Sequence, residues 1–297
     1  MIAEVAHHAP VEPVVDGDVM VSATVGPQGE LVVLWCDPAL LSVLSSRQRK
    51  PGSTKARRTH KVRVTAHHPD PVVLTEISDI DLDFPTAHPL PDGEVLLVGA
   101  RVRGSAPNAV VYDSEGRVVR RADLGDGIEH VYTTAGGDVW VAYFDQGIFG
   151  RSEVAAHGLV RFGPDLRPVW RFPGWVIADC YALNVTEREA WTCYYTEFPV
   201  VRVRDGKVTR WDNDITGVRA LAVVGRRVGL FGGYEEDRDR LVVGWLDGDR
   251  LRVTAHHRLT LPGGEQLPAD AGVIGRGGEL HVVTADAWYR LDLASLA

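Results

Sequence analysis

Six carboxylates recur along the chain, each near the start of a short apolar run. If the fold brings these side chains together, they form a ring of oxygen atoms suited to Ca²⁺ or Mg²⁺, hard cations that prefer carboxylate and carbonyl ligands. One of them could equally serve as the general base of a hydrolytic reaction. An Asp before a strand is also common turn chemistry, so a structural explanation stays open. The six are Asp18, Asp83, Glu129, Asp179, Asp214 and Asp270.

A second group of residues could contact a ligand without chemistry. Asp145 and Gln146 come directly after a continuous apolar run. Ile148 and Phe149 follow them, so this segment combines polar and apolar groups. Exposed apolar side chains flanked by polar ones suit ligand or partner contact, and packing against a neighbouring element is the alternative. Three further aromatic residues flank other loops and could wall a pocket or fill gaps in the core: Trp175, Trp211 and Tyr234.

The motifs of several other activities are absent from the sequence. There is no GxSxG nucleophile elbow, no GxGxxG or GxxxxGK[ST] phosphate loop, and no CxxC pair. Cys180 follows Asp179, and an adjacent acid raises the pKa of a thiol, which argues against a reactive thiolate. His130 follows Glu129 and could act as an acid or base near neutral pH, although a hydrogen-bonded structural histidine is the commoner case.

The composition is that of a globular protein of 297 residues, 45% hydrophobic and 24% charged. No run approaches the roughly 20 apolar residues that cross a bilayer, and the first residues lack the pattern of a secretory signal, so we expect a cytoplasmic protein without membrane contact. Segment 47–63 holds eight Lys or Arg and no acid, leaving 24 basic and 40 acidic residues elsewhere. Because no aromatic residues are interleaved there, a solvated basic loop is favoured over nucleic-acid binding.

The elements that must position these residues are almost all predicted strands. Apolar runs are short, rich in Val, Leu, Trp and Tyr, and end at Gly, Asp or Pro. Segment 37–50 begins with Asp-Pro and is the one candidate for a helix. A unit of strand, tight turn, very apolar strand, longer loop and two further strands recurs along the chain. Such a repeat, roughly 40 to 50 residues long, is typical of a propeller.

The repeat predicts an all-β fold, a single six-bladed β-propeller over 1–297 with four strands in each blade and 38–60 as a basic insertion loop. Residues 2–9 would supply the outer strand of the last blade and so close the ring. Seven blades, or a pair of β-sandwiches, are the alternatives. A closed ring has only short edges, so we expect a monomer. The second strand of each blade would begin near residues 30, 94, 138, 189, 227 and 279.

In a propeller, the connections between blades and those between the second and third strands of a blade share one face. Here these connections are long, and long loops on a rigid scaffold often carry function. We therefore predict the site on that face, near the mouth of the central channel. The segments concerned are 38–60, 145–157, 172–177, 195–198, 212–216, 234–238 and 260–269.

This repeat pattern resembles, at the level of architecture, six-bladed propellers of the gluconolactonase and senescence-marker type. The resemblance implies one divalent cation in the channel and calcium-dependent hydrolysis of esters or lactones, with Glu129 and Asp179 as the nearest ligand candidates. The chain does not carry the Glu-Gly-Pro motif of that family. Asn184 alone stands where the family places asparagine on inner strands.

Two functional hypotheses from different classes follow. The first is a binding or scaffolding propeller that engages a protein or a small molecule on the long-loop face. Its binding residues would be Asp145, Gln146, Trp175, Trp211 and Tyr234. The second is a divalent-metal-dependent hydrolase or lactonase at the channel mouth, with Ca²⁺ or Mg²⁺ as its cofactor. Its metal ligands would be Asp83, Glu129, Asp179 and Asp270.

Overall fold

Strands form nearly all of the regular structure. The computed structural model describes residues 1–45, 61–102, 106–174 and 176–296. In this part of the chain the strands assemble into six sheets, each built on four antiparallel strands, and the sheets surround a central channel. The predicted six-bladed β-propeller is therefore confirmed. No helix in the described residues is long and apolar enough to cross a membrane.

The chain begins with two short strands, β1 (Ile2–Glu4) and β2 (Ala6–Pro10), and then builds the blades in order. The first three blades follow directly, each from its innermost to its outermost strand. They are β3 (Val19–Val25), β4 (Leu31–Cys36), β5 (Lys61–His67) and β6 (Pro71–Ser78); β7 (Asp83–Pro89), β8 (Val95–Arg101), β9 (Ala109–Tyr112) and β10 (Val118–Ala122); and β11 (Ile128–Thr133), β12 (Val139–Tyr143), β13 (Leu159–Phe162) and β14 (Pro168–Arg171).

The last three blades repeat this order, and the sixth takes its fourth strand from the N-terminal end of the chain. They are β15 (Asp179–Val185), β16 (Glu189–Tyr195), β17 (Val200–Arg204) and β18 (Lys207–Trp211); β19 (Ala220–Val224), β20 (Arg227–Phe231), β21 (Arg240–Asp247) and β22 (Arg250–Thr260); and β23 (Gly272–Arg276), β24 (Glu279–Val283), β25 (Ala287–Asp292) and β2. The second strands begin within a residue of every predicted position.

Two strands from the first ten residues close the ring. The strand β2 pairs antiparallel with β25, as predicted for the outer strand of the sixth blade. The strand β1 instead pairs parallel with β22 and adds a fifth strand to the fifth blade. Between them, the backbone N–H of Val5 donates to Thr260 O at 3.0 Å. The N-terminal segment thus ties two neighbouring blades together.

The helical segments are short. The predicted helix over 37–50 is α1 (Pro38–Leu44) in the described residues, and Asp37 caps it by accepting from the Ala39 N–H at 2.8 Å. Residues 46–60, which hold most of the predicted basic segment, lie outside the described residues. The other helical turns are α2 (Asp145–Ile148) and five 3₁₀ turns: Pro91–Gly93, Ala155–His157, Glu235–Asp237, Pro262–Gly264 and Leu293–Ser295.

The core lies between the blades. Every residue of β4 is buried, because both faces of a second strand pack against neighbouring blades. In an outermost strand such as β10, every residue is exposed or half-buried. Three fully buried indoles, Trp35, Trp191 and Trp288, lie in this core. Burying such a side chain stabilises the fold by about 1.5 to 3 kcal/mol. This rigid ring holds the loops at its two ends in fixed positions.

Candidate functional site at the channel mouth

Loops at the two ends of the ring differ in length. We call the end that carries the connections between blades, such as 172–178 and 212–219, the long-loop face. The opposite end carries the turns inside hairpins, such as 205–206 and 225–226, and we call it the short-turn face. Inner strands run from one face to the other, so residues at their two ends belong to different surfaces.

Three carboxylates lie on the long-loop face near the channel, close enough for the charges of two of them to act on the third. Glu129 lies on β11, Asp179 begins β15, and Asp145 begins α2. Burial, together with the negative charges of Glu129 and Asp145, raises the pKa of Asp179 to about 6. Among the described residues, no Lys, Arg or His nitrogen lies within 4.0 Å of any of the three. We call them the mouth carboxylates.

Glycines allow α2 to reach the mouth. A Cβ added at Gly127 would lie 2.4 Å from Gly147 N, and one added at Gly147 would lie 2.1 Å from Asp126 O. Only glycine fits where two backbones approach so closely. The Phe144 N–H donates to Gly127 O at 2.9 Å and fixes the approach. The segment before β11 therefore holds Asp145 beside the channel.

Gln146, the other polar residue predicted on this loop, is held by a neighbouring blade. Arg101 Nη1 donates to Gln146 Oε1 at 2.6 Å, and Arg101 Nε pairs with Asp126 Oδ1 at 2.9 Å. The same guanidinium lies 5.4 Å from the centre of the Phe144 ring. Arg101 thus links the second and third blades. It forms no ion pair with the mouth carboxylates among the described residues.

Four aromatic rings form a continuous surface next to the mouth carboxylates. Tyr181 stacks with Tyr195 at 6.3 Å between ring centres and meets Phe198 edge-on at 5.2 Å. Tyr234 meets Phe198 at 6.3 Å, and its hydroxyl donates to the Tyr181 hydroxyl at 3.3 Å. Asp179 lies directly opposite Tyr195 across the β15–β16 pair. We call Tyr181, Tyr195, Phe198 and Tyr234 the aromatic cluster.

Phe198 holds the cluster together from a strained backbone position. Its φ of 50° lies in the left-handed region, which costs a bulky residue about 1 to 3 kcal/mol. Asn213 Nδ2 donates to Phe198 O at 2.9 Å, and the Phe198 N–H donates to Tyr194 O at 3.0 Å. These bonds fix the loop 196–199, so that Phe198 is buried while Tyr195 and Tyr234 are 44% and 51% exposed.

Below the mouth, the channel contains a cavity of about 170 Å³. Thr24, Thr86, His88, Glu129 and His130 contribute its polar lining. Burial lowers the pKa of His130, so its ring is neutral near pH 7 and its Nε2 donates to Tyr181 O at 3.1 Å. This hydrogen bond agrees with a structural role for His130, the commoner case for a histidine in such a sequence context.

Two hydrogen bonds across the channel close the floor of this cavity. Tyr132 Oη donates to Gly275 O at 3.0 Å, and Arg276 Nη2 donates to Thr133 O at 2.7 Å. Both join the third blade to the sixth, on the opposite side of the ring. A Cβ at Gly275 would lie 1.9 Å from Leu221 O, so only glycine allows the inner strands to meet this closely.

The structure brings together residues from both predicted sets. Glu129 and Asp179 from the metal set meet Asp145 from the binding set, and Tyr234 lies in the aromatic cluster. Asp270 and Asp214 are exposed on separate loops. The predictions did not include Tyr181, Tyr195 or Phe198, although the segment EAWTCYYTEF places two of them around a predicted loop.

The remaining predicted residues are ion-paired, buried or outside the described chain. Asp18 pairs with Arg63 at 2.5 Å, and Asp83 is 9% exposed at the start of β7. Trp211 is buried and stacks on Trp191 at 5.7 Å between ring centres. Trp175 lies outside the described residues.

The donor set for a divalent cation is incomplete in the described residues. No three His, Cys, Asp or Glu side chains there are placed to hold one metal ion. Asn184 is occupied by backbone groups, because its Nδ2 donates to Leu221 O at 2.8 Å and its Oδ1 accepts from the Gly277 N–H at 2.8 Å. The Ca²⁺ or Mg²⁺ site stays a prediction, and no chemical step is assigned through it.

Comparisons with known proteins address the fold. The YxzG family model matches residues 172–229, well under half of the chain. No curated protein sequence matches. A functionally unknown protein from Desulfotomaculum acetoxidans is similar at 9% identity with a TM-score of 0.52, covering 89% of this chain and 78% of its own.

The WD40 domain of Neurospora crassa Pan2 is also similar, at 10% identity with a TM-score of 0.50, covering 98% of this chain and 96% of its own. A putative 6-phosphogluconolactonase from Bacteroides uniformis aligns at 13% identity with a TM-score of 0.47, covering 89% of this chain and 78% of its own. Likeness at these identities concerns the backbone alone. The chain is therefore a β-propeller by fold.

Proposed function

We propose that this protein is a binding module that accepts a basic side chain, Lys or Arg, of a partner protein at the channel mouth. The observation that supports this most is the set of three mouth carboxylates with no basic partner among the described residues, directly beside an exposed aromatic cluster. Carboxylates give a cation charge-assisted hydrogen bonds, and aromatic faces attract it through the ring quadrupole.

The dimensions of the site favour a side chain over a whole small molecule. Pockets for small-molecule ligands usually enclose about 300 to 1,000 Å³. The channel cavity encloses about 170 Å³, which is below that range. Around it, the half-exposed rings of Tyr195 and Tyr234 offer flat amphipathic surface, and Phe149 is 69% exposed on the same face. Aromatic residues with this character are enriched at protein interfaces.

The charge of the site depends on pH in the physiological range. Because the pKa of Asp179 is about 6, its carboxyl is mostly ionised at pH 7.5 and mostly protonated at pH 5. A bound cation stabilises the ionised form, so binding of a basic side chain tightens as the pH rises through 6. A ligand held by apolar contact alone would show no such dependence.

The first experiment uses an acetylated Gly-Ala-Lys-Ala-Gly amide, with norleucine replacing Lys in a matched neutral peptide. Calorimetric titration at pH 7.5 should show binding of the Lys peptide only. Asp179→Asn and Glu129→Gln should each weaken it about tenfold, the usual effect of losing one charge-assisted hydrogen bond. Glu12→Gln, an exposed carboxyl on the same face, is the control and should leave the affinity unchanged.

Equal binding of the two peptides would contradict the proposal, because the cation would then contribute nothing. The same conclusion would follow if Glu12→Gln weakened binding as much as Asp179→Asn, since the effect would then come from net charge rather than from the mouth carboxylates. A loss confined to the Lys peptide in the two mouth variants supports the site as described.

Hydrolysis at the same mouth is the second candidate, favoured by the raised pKa of Asp179. A carboxyl with a pKa of about 6 in a cleft is suited to act as a general base near neutral pH. Turnover of γ-butyrolactone or p-nitrophenyl acetate that Asp179→Asn abolishes would establish this activity. Titration with CaCl₂ adds the cofactor test, since a cation bound only by the folded protein raises its melting temperature.

A further inference from the structure

A second cavity opens on the short-turn face, at the other end of the channel. It encloses about 680 Å³ between the turns of the first, fourth and sixth blades. This volume falls inside the range of about 300 to 1,000 Å³ typical of small-molecule pockets. Its charged lining consists of Glu187, Arg188, Glu189, Arg204, Arg276 and Glu279. None of these residues belongs to the channel mouth.

Arg276 lines this cavity from a buried position. Its side chain is 7% exposed, its Nη2 donates to Thr133 O, and its guanidinium lies 5.5 Å from the centre of the Tyr132 ring. Its Nη1 has no hydrogen-bond partner, and among the described residues no carboxylate oxygen lies within 4.0 Å of the guanidinium. A buried cation with an unfilled donor is costly unless an anion meets it.

The carboxylates of the cavity form no ion pair with Arg276, although the charge of Glu187 acts on it from farther away and opposes the lowering of its pKa by burial. Each of the three is bonded to another partner. Glu187 Oε1 accepts from the Ala135 N–H at 2.5 Å, and Glu189 Oε1 accepts from Trp191 Nε1 at 2.8 Å. Glu279 forms an ion pair with Arg290. The orientation of the three carboxylates is thus set by neighbours other than Arg276, and its Nη1 stays without a partner among the described residues.

Local structure keeps Arg276 fixed in this wall. Asn184 bonds both the N–H and the O of Gly277, the residue after Arg276, at 2.8 and 2.9 Å. Gly29 and Gly277 lie at the cavity wall with open space where a Cβ would stand. A guanidinium held in the cavity wall by Thr133 and the Tyr132 ring attracts an anion that enters the cavity.

We propose that this cavity is a second ligand site, which binds a small organic carboxylate through attraction to the positive charge of Arg276 in its wall, with Arg188 at the rim. A carboxylate fits better than a phosphate because the three glutamates of the lining repel a dianion more strongly than a monoanion. This site is independent of the channel mouth, since Tyr132 and Arg276 close the channel between the two ends.

Benzoate is the probe, and benzamide is its neutral counterpart of the same shape. Thermal unfolding at constant ionic strength should show a rise in melting temperature of about 2 °C with saturating benzoate and no rise with benzamide. Arg276→Met removes the guanidinium and should abolish the benzoate response. Equal responses to the two probes, or a full benzoate response in a folded Arg276→Met protein, would overturn the proposal.

A variant at the exposed rim keeps the test decisive if Arg276→Met does not fold. Arg188→Glu reverses a charge at an exposed turn and should weaken benzoate about threefold to fivefold, the usual effect of one exposed charge. Arg121→Glu makes the same change in net charge on the outermost strand of the second blade and should leave the affinity unchanged. Equal weakening by both variants would contradict the proposed site.

Discussion

The two ends of the channel carry charged groups of opposite sign. At the long-loop face, three carboxylates stand together with no basic partner among the described residues, and one of them, Asp179, has a pKa raised to about 6. At the short-turn face, Arg276 is 7% exposed and no carboxylate of the described chain pairs with it. Each end therefore favours a group of the opposite sign, a cation at the mouth and an anion below the floor.

The difference shows how one scaffold supports two unlike surfaces. Inner strands run through the ring, so the start of β11 carries Glu129 and its end carries Tyr132, which belongs to the floor. Hydrogen bonds that cross the ring at Gly275 and Thr133 separate the two ends. Ligand chemistry at one end can then differ from that at the other without any change in the blades.

The largest expected effect is a loss of folding stability in acid, caused by a histidine of the channel wall. His88 is buried in the channel wall, and burial, with Arg276 adding to it, lowers its pKa to about 3. Its pKa in the unfolded chain is about 6.5. The stability from neutral His88 is complete above pH 6.5 and is lost as the pH falls toward 3, by up to about 1.4 kcal/mol per pH unit.

Urea unfolding of the wild type and His88→Gln between pH 7 and pH 4 measures this effect. The variant should lose less stability over that interval. His281, whose pKa is also lowered to about 3 by burial, remains in both proteins, so the profile becomes shallower rather than flat. Parallel profiles for the two proteins would show that His88 is not the group that titrates.

A smaller effect is expected from damage confined to the long-loop end. Asn213→Ala removes three hydrogen bonds of the side-chain amide: Nδ2 donates to Phe198 O and Ile215 O, and Oδ1 accepts from the Ile215 N–H. We expect a loss of about 2 to 3 kcal/mol in the free energy of unfolding. Asp214→Asn, an exposed neighbour, should stay within about 0.5 kcal/mol of wild type.

Lys-peptide affinity should also fall in Asn213→Ala, because Phe198 no longer supports the aromatic cluster, while benzoate affinity should not change. Reduced affinity for both probes would mean that the two ends are coupled. Chemical denaturation and calorimetric titration of the same preparations separate the two effects.

Removing a hydrogen bond from the channel floor should lower the free energy of unfolding by less than Asn213→Ala does. Tyr132→Phe removes the hydrogen bond to Gly275 O and leaves that carbonyl without its partner inside the ring. The expected loss is about 1 to 2 kcal/mol in urea unfolding. Tyr195→Phe, which alters a half-exposed hydroxyl, is the control and should change stability by less than about 0.5 kcal/mol. Equal losses in the two variants would show that the hydrogen bond from Tyr132 to Gly275 O does not stabilise the fold.

The smallest effect is expected from Asp179→Asn on stability, because this carboxyl is partly exposed and solvent screens its charge. Because the folded-state pKa of Asp179 is raised, ionisation disfavours the folded protein as the pH rises from about 4 through 6. The variant should therefore melt at a slightly higher temperature than wild type at pH 8 and at the same temperature at pH 4. A variant that melts lower at pH 8 would show that the carboxylate has a cationic partner in solution.

Most of the ring was predictable from the sequence. The second strands are continuous apolar runs because both faces are buried, and their starts at Leu31, Val139 and Arg227 match the predicted positions closely. Closure by the N-terminal segment also followed from counting strands. The separate pairing of Ile2–Glu4 with the fifth blade did not, since a parallel edge contact leaves no periodic signal in three residues.

The candidate site was only partly predictable. Glu129 and Asp179 could be identified because they begin inner strands. The aromatic cluster could not, since Phe198 takes a left-handed φ only through hydrogen bonds from a distant loop. Arg276 stands next to Gly277 in an ordinary hairpin turn, and its burial depends on Tyr132 and Thr133 across the ring. Contacts between blades far apart in sequence decide both cases.

The separation of the two ends is tested most directly by titrating one preparation with both probes, the Lys peptide and benzoate, and repeating this with Asp179→Asn and Arg276→Met. We expect the probes to bind together without competition. Asp179→Asn should weaken only the peptide, and Arg276→Met should abolish only the benzoate response. Competition between the probes, or a variant that affects both equally, would contradict two independent sites of opposite charge.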